Sequence, residues 1–294
     1  MKRPKLIQET FNFIRYKSFE KFPKLTLKAE FRRHVGYSLN LNNPSTFNEK
    51  LQWLKLNWHD KNATICADKY EVRGFIKEKG LSHILNDLYG VYDNVDDIQI
   101  DELPEQFVMK VTHGCGQNLI CTDKSKLNWE EEKKNFKKWM NISHYYKSLE
   151  WVYKDIKPRI IVEKLINTSD GKPPKDYKVF CFNGEPKLLL VASDRGDKTT
   201  KVDFYDTEWN ILNMKIYSPN SLSILEKPKQ LDKILEYSKL ISKEFPHARV
   251  DFYIENNKVI FGECTFFHMS GMQPIEPIEY DYKLGEYLRL PIEL

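Results

Sequence analysis

Lys110 lies inside an apolar run, FVMKVTHGCGQNLI (107–120), that passes straight into two glycines. A lysine in a half-buried strand loses hydration unless an anion meets it. A glycine-rich turn a few residues on can present backbone N–H groups to the same anion. Lys110 and the loop His113-Gly114-Cys115-Gly116 therefore have the parts of a phosphate-holding flap. The spacing is not that of a P-loop, because no Gly-Lys-Ser/Thr follows the glycines. The competing reading is a solvent-facing lysine beside an ordinary hairpin turn.

Asp251 and Glu263 occupy a similar context in RVDFY and IFGECTFF. Buried carboxylates need cations or donors, and a magnesium ion bound to phosphate oxygens is one answer. Strand parity sets the condition. A regular two-residue turn at Asn256-Asn257 pairs 255 with 258 and 251 with 262, which sends the two acids to opposite faces. A three-residue loop, or one bulge, pairs 251 with 263 and makes a divalent-cation site. The odd register is the expectation here. The alternative is an Asp251 satisfied by its neighbour Arg249 and a Glu263 satisfied separately. A third group comprises Glu163-Lys164 in IIVEKLI, then Asp176-Tyr177-Lys178 and Asp194-Arg195. It flanks a polar loop at 167–174 that reads as a hinge between two lobes, or as ordinary strand-end polarity.

The elements that must position these groups follow from pattern. Helices are expected at PSTFNEKLQWLKL, capped by Ser45 or Thr46, and at ADKYEVRGFIKEKG, with Val72, Phe75 and Ile76 on one face and Gly80 as its stop. Two strands surround the glycine loop at 107–122. Asn128 and Glu131 make a capping box for a helix with Trp129, Phe136 and Met140 inward. PRIIVEKLI (158–166) is a strand, and DYKVFCFNGEPKLLLVASD is a hairpin turning at Asn183-Gly184. A strand near KVDFYD, a helix from about Lys229 to Phe245 and a last hairpin around Asn256-Asn257 complete the order. The class is α+β with antiparallel hairpins and no Rossmann alternation.

Composition narrows the function classes. The 294 residues are 41% hydrophobic and 13% aromatic, enough for a large core in one domain or two coupled ones. Apolar stretches such as LLLVA (188–192) are too short to span a bilayer. The N-terminal MKRPKLIQETFNF does not read as a secretion signal. The five cysteines are scattered without a CxxC pair, so neither a disulfide framework nor a zinc site is indicated. The expectation is a soluble, reduced, cytoplasmic protein. Residues 1–33 hold ten Lys/Arg against three Glu, whereas the whole chain is +4, so the rest is net negative. Ile7, Phe11 and Ile14 share a helical face beside Arg15 and Lys17, which suits packing on the body or a peripheral contact with a membrane surface or anionic glycan. Nucleic acid is not an expected partner, because the positive charge stops there.

Taken in order, the strand lysine, HGxG loop, VEK hinge, DYK, DR pair and RVD…GE hairpin resemble the ATP-grasp superfamily, which holds ATP between two α+β lobes. More narrowly the chain resembles the TupA-like ATP-grasp family, linked to teichuronopeptide and surface polysaccharide biosynthesis. The match is carried by PSTFNEKLQWLKL (44–56), ADKYEVRGFIKEKG (67–80), LPEQFVMKVTHGCGQNLI (103–120), IKPRIIVEKLI (156–166), DYKVFCFNGEPK (176–187) and FPHARVDFY…FGECTF (245–266). It covers most of the chain from about residue 30 onward. The resemblance implies a basic, mainly helical N-terminal extension (1–66), a pre-ATP-grasp-like segment (67–106) and an ATP-grasp core (107–294) with lobes 107–166 and 175–294.

It also implies roles. Lys110 would contact the α- and β-phosphates of ATP, with His113, Gly114 and Gly116 in the loop closing over them. Glu163, Lys164 and Leu165 would sit at the adenine edge, and Lys178 would add a second cation. Asp251 and Glu263 would hold one or two magnesium ions, with Thr265 at the position where many relatives carry an asparagine ligand. Arg249 and Arg195 would face the acceptor carboxylate and the transferring phosphoryl group. The implied activity is a carboxylate–amine ligase that joins an amino acid or amine to a uronic-acid carboxylate of a sugar nucleotide or glycan. A kinase acting on a sugar hydroxyl is the nearest alternative. A glycosyltransferase or a non-catalytic basic module fits less well, the first for want of a suitable DxD motif.

Overall fold

A computed structural model describes residues 17–167, 173–193, 200–221 and 224–291. Two antiparallel sheets organise it. The first has the order β1-β4-β2-β3, from β1 (Leu88–Tyr92), β2 (Phe107–Val111), β3 (Asn118–Cys121) and β4 (Ile160–Lys164). Alternation along β2 explains its two faces. Phe107, Met109 and Val111 are fully buried against Ile160, Val162 and Phe136 of helix α5 (Trp129–Met140). Val108 and Lys110 point the other way and are half-buried. The edge strand β1 comes from the segment before the glycine loop; its LYGVY, half-exposed and broken by Gly90, carries little strand signal.

The second sheet has the order β10-β9-β5-β6-β7-β8. It comprises β5 (Asp176–Phe182), β6 (Glu185–Ser193), β7 (Lys201–Asp206), β8 (Ile211–Leu212), β9 (His247–Glu255) and β10 (Lys258–Thr265). Both expected hairpins are present. Asn183 and Gly184 have φ of 49° and 80°, and Asn256 and Asn257 have 50° and 62°, the left-handed pairs that two-residue turns require. Helix α7 (Leu231–Ser242) covers this sheet through Leu231, Ile234 and Ile241.

The N-terminal helices are α1 (Pro23–Val35), α2 (Phe47–Asn57), α3 (Lys61–Ala67) and α4 (Val72–Glu78), with α6 (Tyr145–Ser148) and α8 (Glu279–Tyr287) later in the chain. Thr46 is the cap of α2, reciprocated by Glu49. Phe47 then packs edge-on against Phe180 and Phe182 of β5, so α2 belongs to the core of the second sheet. Val72, Phe75 and Ile76 of α4 are buried, and Gly80 follows at φ 76°. Residues 1–16, with Ile7, Phe11, Ile14 and Arg15, lie outside the described residues. Among those described, no helix is long and apolar enough to cross a membrane.

Candidate active site

Three strands of the second sheet line up one row of charge. Lys178 of β5 pairs directly with Asp251 of β9, and Asp251 pairs with Glu263 of β10. The last hairpin reaches this register in the second of the two ways that parity allows. Its turn is the regular one, pairing Glu255 with Lys258, and the ladder runs to Phe252 opposite Phe261. It then skips Gly262, so that Glu263 faces Asp251. Gly262 suits the bulge because a Cβ there would stand 3.1 Å from both the Asp251 carbonyl and the Tyr253 ring.

Arg249 knits the row together. It shares a face with Asp251, and its Nε and Nη2 donate to Oδ1 and Oδ2 of that carboxylate at 2.7 Å each. Nη2 also reaches Glu263 Oε1 at 3.1 Å and the Thr265 hydroxyl at 3.0 Å. Nη1 donates to His268 Nδ1 at 2.7 Å, which places the His268 ring proton on Nε2. Burial and the neighbouring Arg249 hold His268 neutral, well below its ordinary range. Lys178 lies between Asp176 (2.6 Å) and Asp251. Burial opposes its charge, yet those two carboxylates outweigh it and raise the ammonium. So the Arg249–Asp251 neighbour effect and the cross-strand pairing of acids both exist.

The first sheet contributes Lys110. It pairs across β2–β4 with Ile161, so Glu163 is its diagonal neighbour on the same face. Lys110 Nζ donates to Glu163 Oε2 at 2.8 Å. Burial would depress this ammonium, but Glu163, Tyr253 and Glu263 raise it. Glu263 gathers the two sheets. Burial pushes its carboxyl up, yet Lys69, Arg249, Lys178 and Lys110 together hold it down at about 2. Four cations from distant segments thus act on one carboxylate.

The two loop glycines answer to different needs. Gly116 has φ 74° with open space around it, so it supplies a left-handed turn. At Gly114 a Cβ would fall 2.3 Å from His144 Nε2 and 2.6 Å from Gln117 Oε1. His144 itself bonds Gln117 at 2.9 Å, and burial drops its pKa to about 4. Burial likewise lowers His113, whose buried ring nitrogens make no full hydrogen bond. Cys115 is exposed at the tip; its surroundings raise the thiol pKa, which argues against a thiolate nucleophile.

At the end of β4, the segment expected to act as a hinge, Lys164 Nζ pairs with Glu255 Oε2 at 2.8 Å and its carbonyl accepts from Asn86 Nδ2 at 2.8 Å. Leu165 is half-buried beside it. The polar loop at 167–174 falls partly, and Asp194 and Arg195 wholly, outside the described residues. Past β10, Met269, Ser270 and Gly271 are three successive left-handed residues (φ 47°, 59° and 57°). Gln52 and Lys55 of α2 hold them by donating to the Ser270 and Gly271 carbonyls at 2.7–3.0 Å.

Lys69 escaped the sequence reading. Its Nζ donates to the Gly114 carbonyl of the loop, and it is the foremost cation acting on Glu263. The stretch ADKYEVR reads as a helix start, and its polar opening was the available clue. Asp68 caps the turn through Tyr70 N at 2.7 Å and holds Arg159 at 2.9 Å, which aims Lys69 at the loop.

The family model of TupA-like ATPgrasp matches residues 49–289. The chain belongs to that family, a branch of the ATP-grasp enzymes. Among solved structures it is similar to D-alanine–D-alanine ligase from Bacillus anthracis complexed with ATP, at 17% identity and TM-score 0.41 over 69% of this chain and 55% of that one. L-amino acid ligase from Bacillus licheniformis is 12% identical with TM-score 0.47, over 98% of this chain and 63% of that chain. D-alanine–D-alanine ligase from Helicobacter pylori is 13% identical with TM-score 0.44, over 85% and 68%. The chain thus spans little more than half the length of the first of these ligases. No curated protein matches it.

Proposed function

We propose that this chain is an ATP-dependent carboxylate–amine ligase working through an acyl phosphate. The observation that carries the reading is the row in which Lys178 and Arg249 hold Asp251 and Arg249 holds Glu263 across three paired strands, with Lys69 and Lys110 bearing electrostatically on the same Glu263. Such a site suits a polyanion that arrives with its own cation.

A carboxylate and an amine do not condense in water at neutral pH, because hydroxide is a poor leaving group. The acceptor carboxylate oxygen attacks the γ-phosphorus, the bond to the β-phosphate oxygen breaks, and ADP leaves. The amine nitrogen then attacks the acyl carbon, inorganic phosphate departs, and the amine's extra proton passes to solvent. Lys110 would hold the phosphates from the first sheet, Lys69 from the turn before α4 and Lys178 from the second sheet, while Arg249 would meet negative charge on the acceptor and the transferring group. Glu163, Lys164 and Leu165 form the hinge at which the base would lie. The loop from His113 to Gly116 would exclude water from the acyl phosphate.

The donor set fits magnesium. Asp251 offers hard oxygens from β9, and Glu263 and Thr265 offer them from the paired strand β10. That suits an ion held by one or two carboxylates plus phosphate oxygens. When bound there it would neutralise charge on the β- and γ-phosphates.

The substrates we assign are an amino acid or small amine and a uronic-acid-containing sugar nucleotide or glycan of surface polysaccharide synthesis. With ATP and candidate acceptors in hydroxylamine, the ligase yields a hydroxamate; a stable phosphosugar instead would replace it with a kinase. ADP release across amino acids with a uronic-acid sugar nucleotide names the pair. Phe22 and Leu25, 55% and 67% exposed between Lys21, Lys24 and Lys28, suit a peripheral contact with an anionic membrane. Charge reversal of these lysines should abolish co-sedimentation with anionic vesicles.

A further inference from the structure

Arg73 of α4 carries none of the roles assigned above, yet it holds the far side of Glu163. Its Nη1 donates to Glu163 Oε1 at 3.3 Å while Lys110 takes Oε2 at 2.8 Å. Its Nη2 donates to the Asn86 carbonyl at 2.8 Å, and Asn86 in turn holds the Lys164 carbonyl at the hinge. The Arg73 and Glu163 side chains are 15% and 9% exposed. We infer that Arg73 is a positioning residue for Lys110, acting through Glu163; this rests on the reading of Lys110 as a phosphate contact.

Buried charge links the two residues. When Lys110 turns to a nucleotide phosphate it gives up its bond to Glu163. A carboxylate left in that position without a counter-charge is heavily penalised. Arg73 is the cation that stays. Its guanidinium is fixed at two points, Glu163 Oε1 and the Asn86 carbonyl, so its charge stays beside Glu163 and does not follow Lys110 into the cleft. Lys110 is thereby free to exchange one anion for another at little cost. Remove Arg73 and the exchange strands Glu163, so the nucleotide must compete with a carboxylate that has no other partner.

A double-mutant cycle on binding of a nonhydrolysable ATP analogue with magnesium, read by calorimetry, separates this role from mere support of the fold. Arg73→Gln should weaken binding about tenfold, within the range of coupled neighbours in one ion-pair network. In the Glu163→Gln background no charge is stranded, and the same change should alter affinity less than about twofold. Arg73→Lys keeps a counter-charge beside Glu163 and should bind within about threefold of wild type, and it remains informative should Arg73→Gln fold poorly. Equal weakening in both backgrounds, or an Arg73→Lys variant as weak as Arg73→Gln, overturns the inference alone. A wild-type protein that binds no nucleotide overturns the reading of the site and this inference with it.

Discussion

In the first sheet Lys110 leans on one carboxylate, Glu163, and keeps 24% of its side chain exposed. In the second, Lys178 and Arg249 share Asp176, Asp251 and Glu263, with their own side chains 14% and 9% exposed. One cation has a single bond to lose, whereas each of the other two holds two carboxylates. The first arrangement suits a group that must turn toward an arriving phosphate beneath a glycine loop. The second suits a fixed floor, since a network of charge-assisted bonds on three paired strands moves only as a unit.

The floor should break most severely. Arg249→Met removes the bidentate partner of Asp251 and the donors to Glu263, Thr265 and His268 at one stroke. Losing one partner of a buried pair costs about 3–5 kcal/mol, and Lys178 remaining on Asp251 puts the expectation at the lower end. Denaturant unfolding should show that loss, and ADP release should vanish. Retention of wild-type stability would mean that the network does not brace the floor.

The floor was legible because strand parity is a strict rule. Asp251 and Glu263 could meet only through an odd loop or a bulge, and Gly262 sat where a bulge could form. Lys178 was legible from DYK, although its pairing with Asp251 was not, since the two lie 73 residues apart. Around the loop the sequence said less. Lys110 and the glycines were visible, but the reason for Gly114 was not, because His144 reaches it from another element. Lys69 and Arg73 were missed for a common cause: on a helix start whose apolar face is already accounted for, a charged residue reads as solvent-facing, and only the fold shows which of them turn inward.

Acid should distinguish the halves next. His144 beside the loop titrates near 4, and His247 within β9 is buried and neutral down to about 3. Unfolded, each takes up a proton below about pH 6.5. The unfolded chain then binds more protons than the fold, so stability falls as pH drops from there. The slope is about 1.4 kcal/mol per pH unit per histidine. The His144 share should stop growing near pH 4, when the folded ring protonates, and the His247 share near 3. His144→Gln should shallow the slope only above pH 4 and His247→Gln down to 3. An unchanged profile in both variants would refute neutral burial of these rings.

The finest contrast lies within the loop itself. Gly114→Ala drives a methyl group into His144 and Gln117, and the His144 ring is itself buried, so the loop must shift. Overpacking of this kind costs about 1–3 kcal/mol, and loop closure should suffer with it, raising the rate at which the acyl phosphate hydrolyses without product. Gly116→Ala meets open space and pays only for its left-handed backbone, about 1 kcal/mol. Its coupling of ADP release to amide formation should stay close to wild type. If the Gly116 variant were the more uncoupled of the two, the loop would be governed by backbone freedom at its tip. The packing of Gly114 on His144 would then have no part in closing it.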